Sequence, residues 1–346
     1  MDPSSSSSPP HSTSLPSSLL SLANTSSSTR YLTLSHPHLL PPGDTSSYLL
    51  SALEDIIANY PPRSRYPHEI LQGLWSGPTG MGYLLLQVSS HLPDLTISGQ
   101  PAIHWARGYM SASRGHNLRL GSHGCGISDE RLAFEAVRAA VTKEMQHVRE
   151  FVNSVGQVMT VAEYPDENLF GRAGTLYLLR LVRHWVPGSE RAVGPAITEI
   201  SNMILGNGGA TGTGEGREGK GGWKWHGKRY LGAVHGDIGI LTQLVLTSPE
   251  LANKVEPMVS RLLEMQMADG NWPSVEGQTH GGQGALVQFC HGAPGMVVSL
   301  LSLRECFPEL RERIDVAVER GRECIWSQGL LKKEPNLCHG IFGNAL

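Results

Sequence analysis

Phe289-Cys290-His291-Gly292-Ala293-Pro294-Gly295-Met296-Val297-Val298-Ser299-Leu300-Leu301 couples a Gly-x-x-Gly step to an apolar run, and that coupling returns along the chain. It precedes it as Gly77-Pro-Thr-Gly80 before Met-Gly-Tyr-Leu-Leu-Leu, Gly171-Arg-Ala-Gly174 before Thr-Leu-Tyr-Leu-Leu, and Gly236-Asp-Ile-Gly239 before Ile-Leu-Thr-Gln-Leu. It follows as Gly340-Ile-Phe-Gly343 before Asn-Ala-Leu346, and a degraded copy stands at Cys125-Gly126-Ile127-Ser128-Asp129. The intervals of 49, 45, 65, 56 and 48 residues each hold one helical hairpin, the signature of a repeated supersecondary unit. Helices that follow the glycines are apolar nearly all round, as buried helices are, whereas those between are amphipathic. Leu251, Val255, Val259 and Leu262 mark one such outer face, and Leu310, Ile314, Val318 and Ile325 another. Inner helices alternating with outer ones describe an all-α fold, an α/α toroid. Residues beside each glycine step should converge on its mouth, because glycine lets backbone approach closely there.

Working outward, the helical pattern begins at Asp44, with Leu49, Leu53, Ile56 and Ile57 on one face and Asp44, Thr45 or Ser46 as N-cap. Residues 1–43 are rich in Ser and Pro, bury too little apolar surface to offset the entropy of ordering, and read as a disordered extension. Residues 206–222 hold so many glycines that they read as a flexible loop. No Gly-Lys-Ser/Thr follows and no strand precedes it, so it is not a phosphate cradle. No segment alternates apolar and polar residues long enough to suggest a sheet.

A net charge of −3 and a pI near 6.6, with no dense basic stripe, argue against a nucleic-acid binder. No apolar run reaches the roughly 18 residues that a membrane span takes. Five scattered cysteines, an odd number, do not make a disulfide framework and fit a reducing compartment. The N-terminus shows neither a secretory signal nor the Met-Gly start of myristoylation.

Cys290 and Cys338 each stand before a His-Gly, and with His339 they offer the sulfur and nitrogen donors that zinc takes. The 48 residues between the two thiols mean that a fold, not a local loop, must assemble the set. Three protein ligands leave a fourth position open, which is the catalytic pattern. Buried, inert cysteines remain the alternative.

Three longer stretches resemble the LanC-like family, the eukaryotic relatives of bacterial lanthionine cyclases: Trp225-His-Gly-Lys-Arg-Tyr-Leu-Gly-Ala-Val-His235-Gly-Asp-Ile-Gly, Phe289-Cys-His-Gly-Ala-Pro-Gly, and Leu330-Leu-Lys-Lys through Leu337-Cys-His-Gly-Ile-Phe-Gly-Asn-Ala. The resemblance covers roughly residues 44–346 and implies a seven-unit double ring of helices, of which about six units are countable here. The chain therefore resembles a member truncated at its C-terminus, without the seventh hairpin. The resemblance also implies Zn²⁺ on Cys290, Cys338 and His339, His235 as acid/base, and Lys333 as a glutathione contact. Where bacterial cyclases carry an aspartate this chain has Glu167, beside Asp166; where they carry an arginine it has Leu286; and His291 replaces an aromatic residue of some cyclases. The first two departures match the eukaryotic branch, so cyclisation of a bacterial prepeptide is not expected.

The function so implied is zinc-dependent activation of a thiol, glutathione foremost, for addition to dehydroalanine or dehydrobutyrine in peptides or proteins. It can follow phosphate elimination from phosphoserine or phosphothreonine. His235 would protonate the resulting enolate, and Glu167, at the position of the bacterial aspartate, is the second candidate catalytic residue. The partners are then glutathione and dehydroamino-acid-containing or phosphorylated peptides, in the cytoplasm, with peripheral membrane association left open. The alternative is a zinc- and glutathione-binding scaffold that does not turn over. A six-hairpin glycosidase would need two facing carboxylates, for which Glu167 and Asp237 stand nearest the repeat glycines, but it gives the Cys-His-Gly steps no role.

Overall fold

The computed structural model describes residues 30–32, 43–111, 114, 118–121, 124–209, 221–278 and 286–345. Residues 1–29 and 33–42 of the expected extension, and 210–220 of the glycine-rich loop, lie outside them.

Twelve α-helices are described, in an alternating series. Six follow the repeat steps: α2 (Pro78–His91), α4 (Glu130–Thr142), α6 (Arg172–Trp185), α8 (Asp237–Thr247), α10 (Ala293–Leu303) and α12 (Ile341–Asn344). The other six are α1 (Thr45–Asn59), α3 (Ala102–Ser111), α5 (Met145–Val158), α7 (Glu190–Asn207), α9 (Ala252–Glu264) and α11 (Arg311–Gln328). Contacts run consecutively through α2, α4, α6, α8 and α10, and each of these also packs on the helix that follows it, α3, α5, α7, α9 and α11. The amphipathic expectation is met on α9 and α11, where Val255, Val259 and Ile314 are fully buried; on α1 only Leu53 and Ile57 of the four named positions are buried, Ile56 is half-buried and Leu49 is exposed. Asp44 is the N-cap of α1, its carboxylate accepting the Ser46 and Ser47 amides. Among the described residues no helix is long and apolar enough to cross a membrane.

Two features differ from the sequence reading. The fold is mostly rather than wholly helical, because β1 (Thr96–Ile97) and β2 (Gln100–Pro101) pair antiparallel between α2 and α3. Their turn residues Ser98 and Gly99 both have positive φ, the tight hairpin geometry, and two-residue strands are too short to show alternation. The degraded repeat is also shifted. Its helix is capped by Asp129, whose side chain accepts the Leu132 amide, so Asp129 and not Gly126 stands where the other copies have their first glycine.

The second glycine of each step has a steric cause. A Cβ on Gly174, Gly239, Gly295 or Gly343 would meet the carbonyl oxygen six residues earlier, at 2.1, 2.1, 2.0 and 1.9 Å respectively. Each helix that follows a glycine step thus sits directly on the loop that feeds it. Gly295→Ala is expected to destabilise by about 3 kcal/mol or more, since the backbone carbonyl of Phe289 has no rotamer by which to yield. Gly194→Ala on α7, where nothing lies within 4 Å, should stabilise by about 0.5–1 kcal/mol. Denaturant midpoints of the two variants check this, and equal shifts would refute the steric account.

Candidate metal centre and its histidine dyad

The loops that feed the helices after the glycine steps are stitched to one another. Leu74 N donates to Ile127 O (2.8 Å), Ile127 N to Asn168 O (3.2 Å), Asn168 N to Val234 O (3.1 Å), and Cys290 N to Cys338 O (3.0 Å). Because the repeat places every loop at the same end, equivalent positions meet. Two residues before the N-cap glycine stand Trp75, Leu169, Val234, Cys290 and Cys338; one residue before stand Ser76, Phe170, His235, His291 and His339. Leu169, Val234 and Cys290 are buried as one small cluster, with Phe170 and Cys338 packed on it. Two thiols and three imidazoles are therefore delivered by two repeat positions.

Each loop has its own local device. Cys290 sits at the tip of a turn in which Gln288 and His291 exchange backbone hydrogen bonds (3.0 and 3.2 Å), and its Sγ reaches Gln288 Oε1 at 3.6 Å. Asn336 accepts the amides of Cys338 (2.7 Å) and His339 (3.1 Å) through its side-chain oxygen, an Asx turn that presents both ligand candidates together. The Cys290 and Cys338 sulfurs and an imidazole nitrogen of His339 all lie within 4.8 Å of one another. A tetrahedral zinc with Zn–S near 2.3 Å sets its donors roughly 3.8 Å apart, so this donor set fits the ion with small rotamer adjustment.

The thiols are not equivalent. Cys338 is pulled from 9.0 down to about 6, first by the hydrogen bond from Cys290 and then by His339 and His235, against an opposing cost of burial. Cys290 is pushed up by the same contact and by burial. One proton is thus shared, Cys290 keeps it, and Cys338 is the first to ionise. In metal-free protein, iodoacetamide should modify Cys338 with half-maximal rate near pH 6, and Cys290→Ala, which removes the donor, should move that midpoint toward 9; an unmoved midpoint would contradict the pairing. The lowered Cys338 value favours the fold above pH 9, and this contribution is lost as pH falls through about 6. Cys290 acts oppositely, favouring the fold below 9 and withdrawing at higher pH.

Beside the thiols, His235 Nδ1 lies 2.6 Å from Glu167 Oε2. Glu167 is buried, and it also accepts the Leu169 amide (3.0 Å) and the Phe170 amide. A carboxylate held this way can only accept, so Nδ1 carries the hydrogen and Nε2 is left for chemistry. Trp225 stacks on the imidazole, centroids 4.1 Å apart and planes 10° from parallel. Trp225 is held by a tight turn, with mutual backbone bonds to Lys228 (2.9 and 3.0 Å) and positive φ at His226 and Gly227. Below it, Arg229 bonds buried Asp237 (2.7 Å), whose carboxyl is raised to about 6 by burial. His291 lies 6.2 Å from His235 between ring centroids, with Nδ1 buried and unbonded. It is pushed down to about 4 by burial and by His235.

The structure thus brings Cys290, Cys338 and His339 together and places the Glu167–His235 pair next to them, whereas Lys333 stands exposed on the approach loop, where its charge acts on Cys290. Asp237, weighed as a glycosidase carboxylate, is instead an internal ion-pair partner of Arg229. The sequence reading missed Trp225 as a ring platform and Gln288 as a thiol partner. Asn336, two residues before Cys338, carried a readable Asx signal. A cavity of about 390 Å³ opens beside Cys338, with Trp75, Leu169, Phe289 and Leu337 around it and Tyr177 and Ser302 among its other lining residues.

The family model for lanthionine synthetase C-like protein matches residues 131–346, a span that holds Glu167, Trp225, His235, Cys290, His291, Cys338 and His339. The chain is 30% identical over 312 residues to the Danio rerio protein named glutathione S-transferase LANCL1, covering 86% of this chain and 72% of that one. It is 32% identical over 180 residues to the Arabidopsis thaliana LanC-like protein GCL1, covering 51% of this chain and 40% of that one.

Proposed function

The chain belongs to the lanthionine synthetase C-like family, and from that premise we propose that it joins a thiol, glutathione foremost, to dehydroalanine or dehydrobutyrine residues of peptides or proteins. The observation that carries this reading is the meeting of two thiols and an imidazole within 4.8 Å, beside a second, carboxylate-anchored histidine.

Cys290, Cys338 and His339 would hold Zn²⁺ and leave one position for an incoming ligand. When bound, the ion supplies Lewis acidity, which keeps a thiol ionised near neutral pH. The remaining work falls to the chain. The side chain at the reacting residue enters the apolar cavity beside Cys338, which excludes water. Sulfur bonds to the β-carbon, and the electron pair of the double bond moves onto the α-carbon and its carbonyl. His235 Nε2 takes the proton that the thiol gives up and then delivers it to the α-carbon, while Glu167 stabilises the charged imidazole in between and Trp225 holds its plane. Run in reverse, the same nitrogen takes the α-proton when phosphate leaves phosphoserine or phosphothreonine. Lys333, exposed at the approach, would attract a carboxylate of glutathione. His291, neutral and with an unbonded Nδ1, is available to a polar group of the substrate.

We also assign residues 44–346 to one double-ring helical domain. The strict alternation of helices and the consecutive contacts α2, α4, α6, α8, α10 support it. All five cysteines are free, which suits a reducing compartment, and we assign the protein to the cytoplasm.

The test is incubation of zinc-loaded protein with glutathione and a dehydroalanine peptide, followed by mass spectrometry. The expected product has the summed mass of the two reactants. Bound zinc without any product above the uncatalysed background would reduce the protein to a binding scaffold.

A further inference from the structure

Residues Arg30, Tyr31 and Leu32 lie about 300 positions before the segment that they contact. Tyr31 bridges Leu331 in antiparallel fashion; Leu32 N donates to Leu330 O at 2.8 Å, and Lys332 N donates to Arg30 O at 2.9 Å. Arg30 and Tyr31 line a small recess together with residues that lead into both loops carrying the candidate ligands. One side of the recess holds Leu286, Val287 and Gln288, which lead into Cys290; the other holds Leu331 and Lys333, which lead toward Cys338. Gln288 is itself the side chain that the Cys290 thiol reaches. An extended backbone lying here is thus held by backbone bonds, a sequence-tolerant mode, next to the reactive centre.

We infer that the edge Leu330–Lys332 is a strand-addition slot for an extended peptide, filled in this chain by its own residues 30–32. The flanking sequence, Ser27-Ser28-Thr29-Arg30-Tyr31-Leu32-Thr33-Leu34-Ser35, puts hydroxyl residues on both sides of the paired triplet. Serine and threonine are the residues whose dehydrated or phosphorylated forms the proposed reaction consumes, so the occupant has the character of an internal substrate mimic. That last identification rests on the thiol-addition reading; the slot itself does not. A peptide in trans competes with the chain's own segment, and its apparent affinity is reduced by the fraction of time the slot is filled.

The experiment uses the full chain and a fluorescein-labelled peptide of residues 27–35, followed by anisotropy. Leu32→Pro removes the N–H that reaches Leu330 O, which frees the slot. Binding to this variant should be about tenfold tighter than to the unaltered chain, as expected for a slot otherwise open roughly a tenth of the time. Adding Lys332→Pro removes the slot's own donor and should abolish binding, with metal content and melting temperature recorded for each variant. Hydrogen exchange on the unaltered chain gives an independent reading. Saturating peptide should accelerate exchange at the Leu32 amide while the Lys332 amide stays protected. Equal binding to Leu32→Pro and the unaltered chain, or Leu32 exchange indifferent to peptide, would overturn the slot whether or not any thioether is formed.

Discussion

Cys338→Ala is expected to leave the purified protein without bound zinc after dialysis against a weak chelator, and to lower thioether formation roughly 10³-fold or more. The size follows from what is lost. Two of three donors remain, Cys290 and His339, and two donors hold the ion far less well than three, since each must supply its share of the binding free energy. The Lewis-acid contribution is worth several kcal/mol, and each 1.36 kcal/mol is about tenfold in rate. Cys290→Ala should behave alike. Cys306→Ala is the control: it lies in a 3-10 turn after α10, away from the feeding loops, and should keep both metal and product. Zinc retained at full stoichiometry in Cys290→Ala and Cys338→Ala would remove the assigned centre, and with it the account of thiol activation.

The second large effect is at His235. His235→Gln keeps a polar side chain of similar reach beneath Trp225 but has no group that can exchange a proton at the Nε2 position. A fall in kcat of roughly 10²–10⁴-fold is expected, with zinc content unchanged. KM for the peptide should stay within about twofold, since the residue acts on the α-carbon and not on the bound peptide as a whole. Glu167→Gln should lose less, roughly 10-fold to 100-fold, because it acts through the orientation of His235 rather than on the substrate. It also replaces one of the two oxygens that accept the Leu169 and Phe170 amides by N–H₂, donor against donor at that amide, so a lowered denaturant midpoint should accompany it. A His235→Gln variant with unchanged kcat would show that the protonation step does not pass through this imidazole.

Several of these expectations rest on features that were legible residue by residue. The glycine steps were, because their cause is local: the second glycine meets a carbonyl only six residues away, so the constraint repeats wherever the turn repeats. The shifted register at Asp129 was not. There a carboxylate cap replaces the glycine, and side-chain capping and tight backbone approach leave different marks in sequence although they start helices equally well. The hairpin at residues 96–101 escaped because its strands are two residues long.

The chain order of residues by itself determined that a helix would follow each glycine step with a second helix between steps, and that Cys290, Cys338, His235 and His339 would stand at matching places in successive repeats. Periodicity decides both, and periodicity is a property of the string. Only the folded arrangement decided that Glu167 and not Asp166 would reach His235, that Trp225 would lie flat on that ring, that one thiol would hold the shared proton, and that residues 30–32 would come to rest against 330–332. Those outcomes depend on directions and distances between segments tens to hundreds of residues apart. They are fixed by packing of the helices onto their loops, which no local pattern encodes.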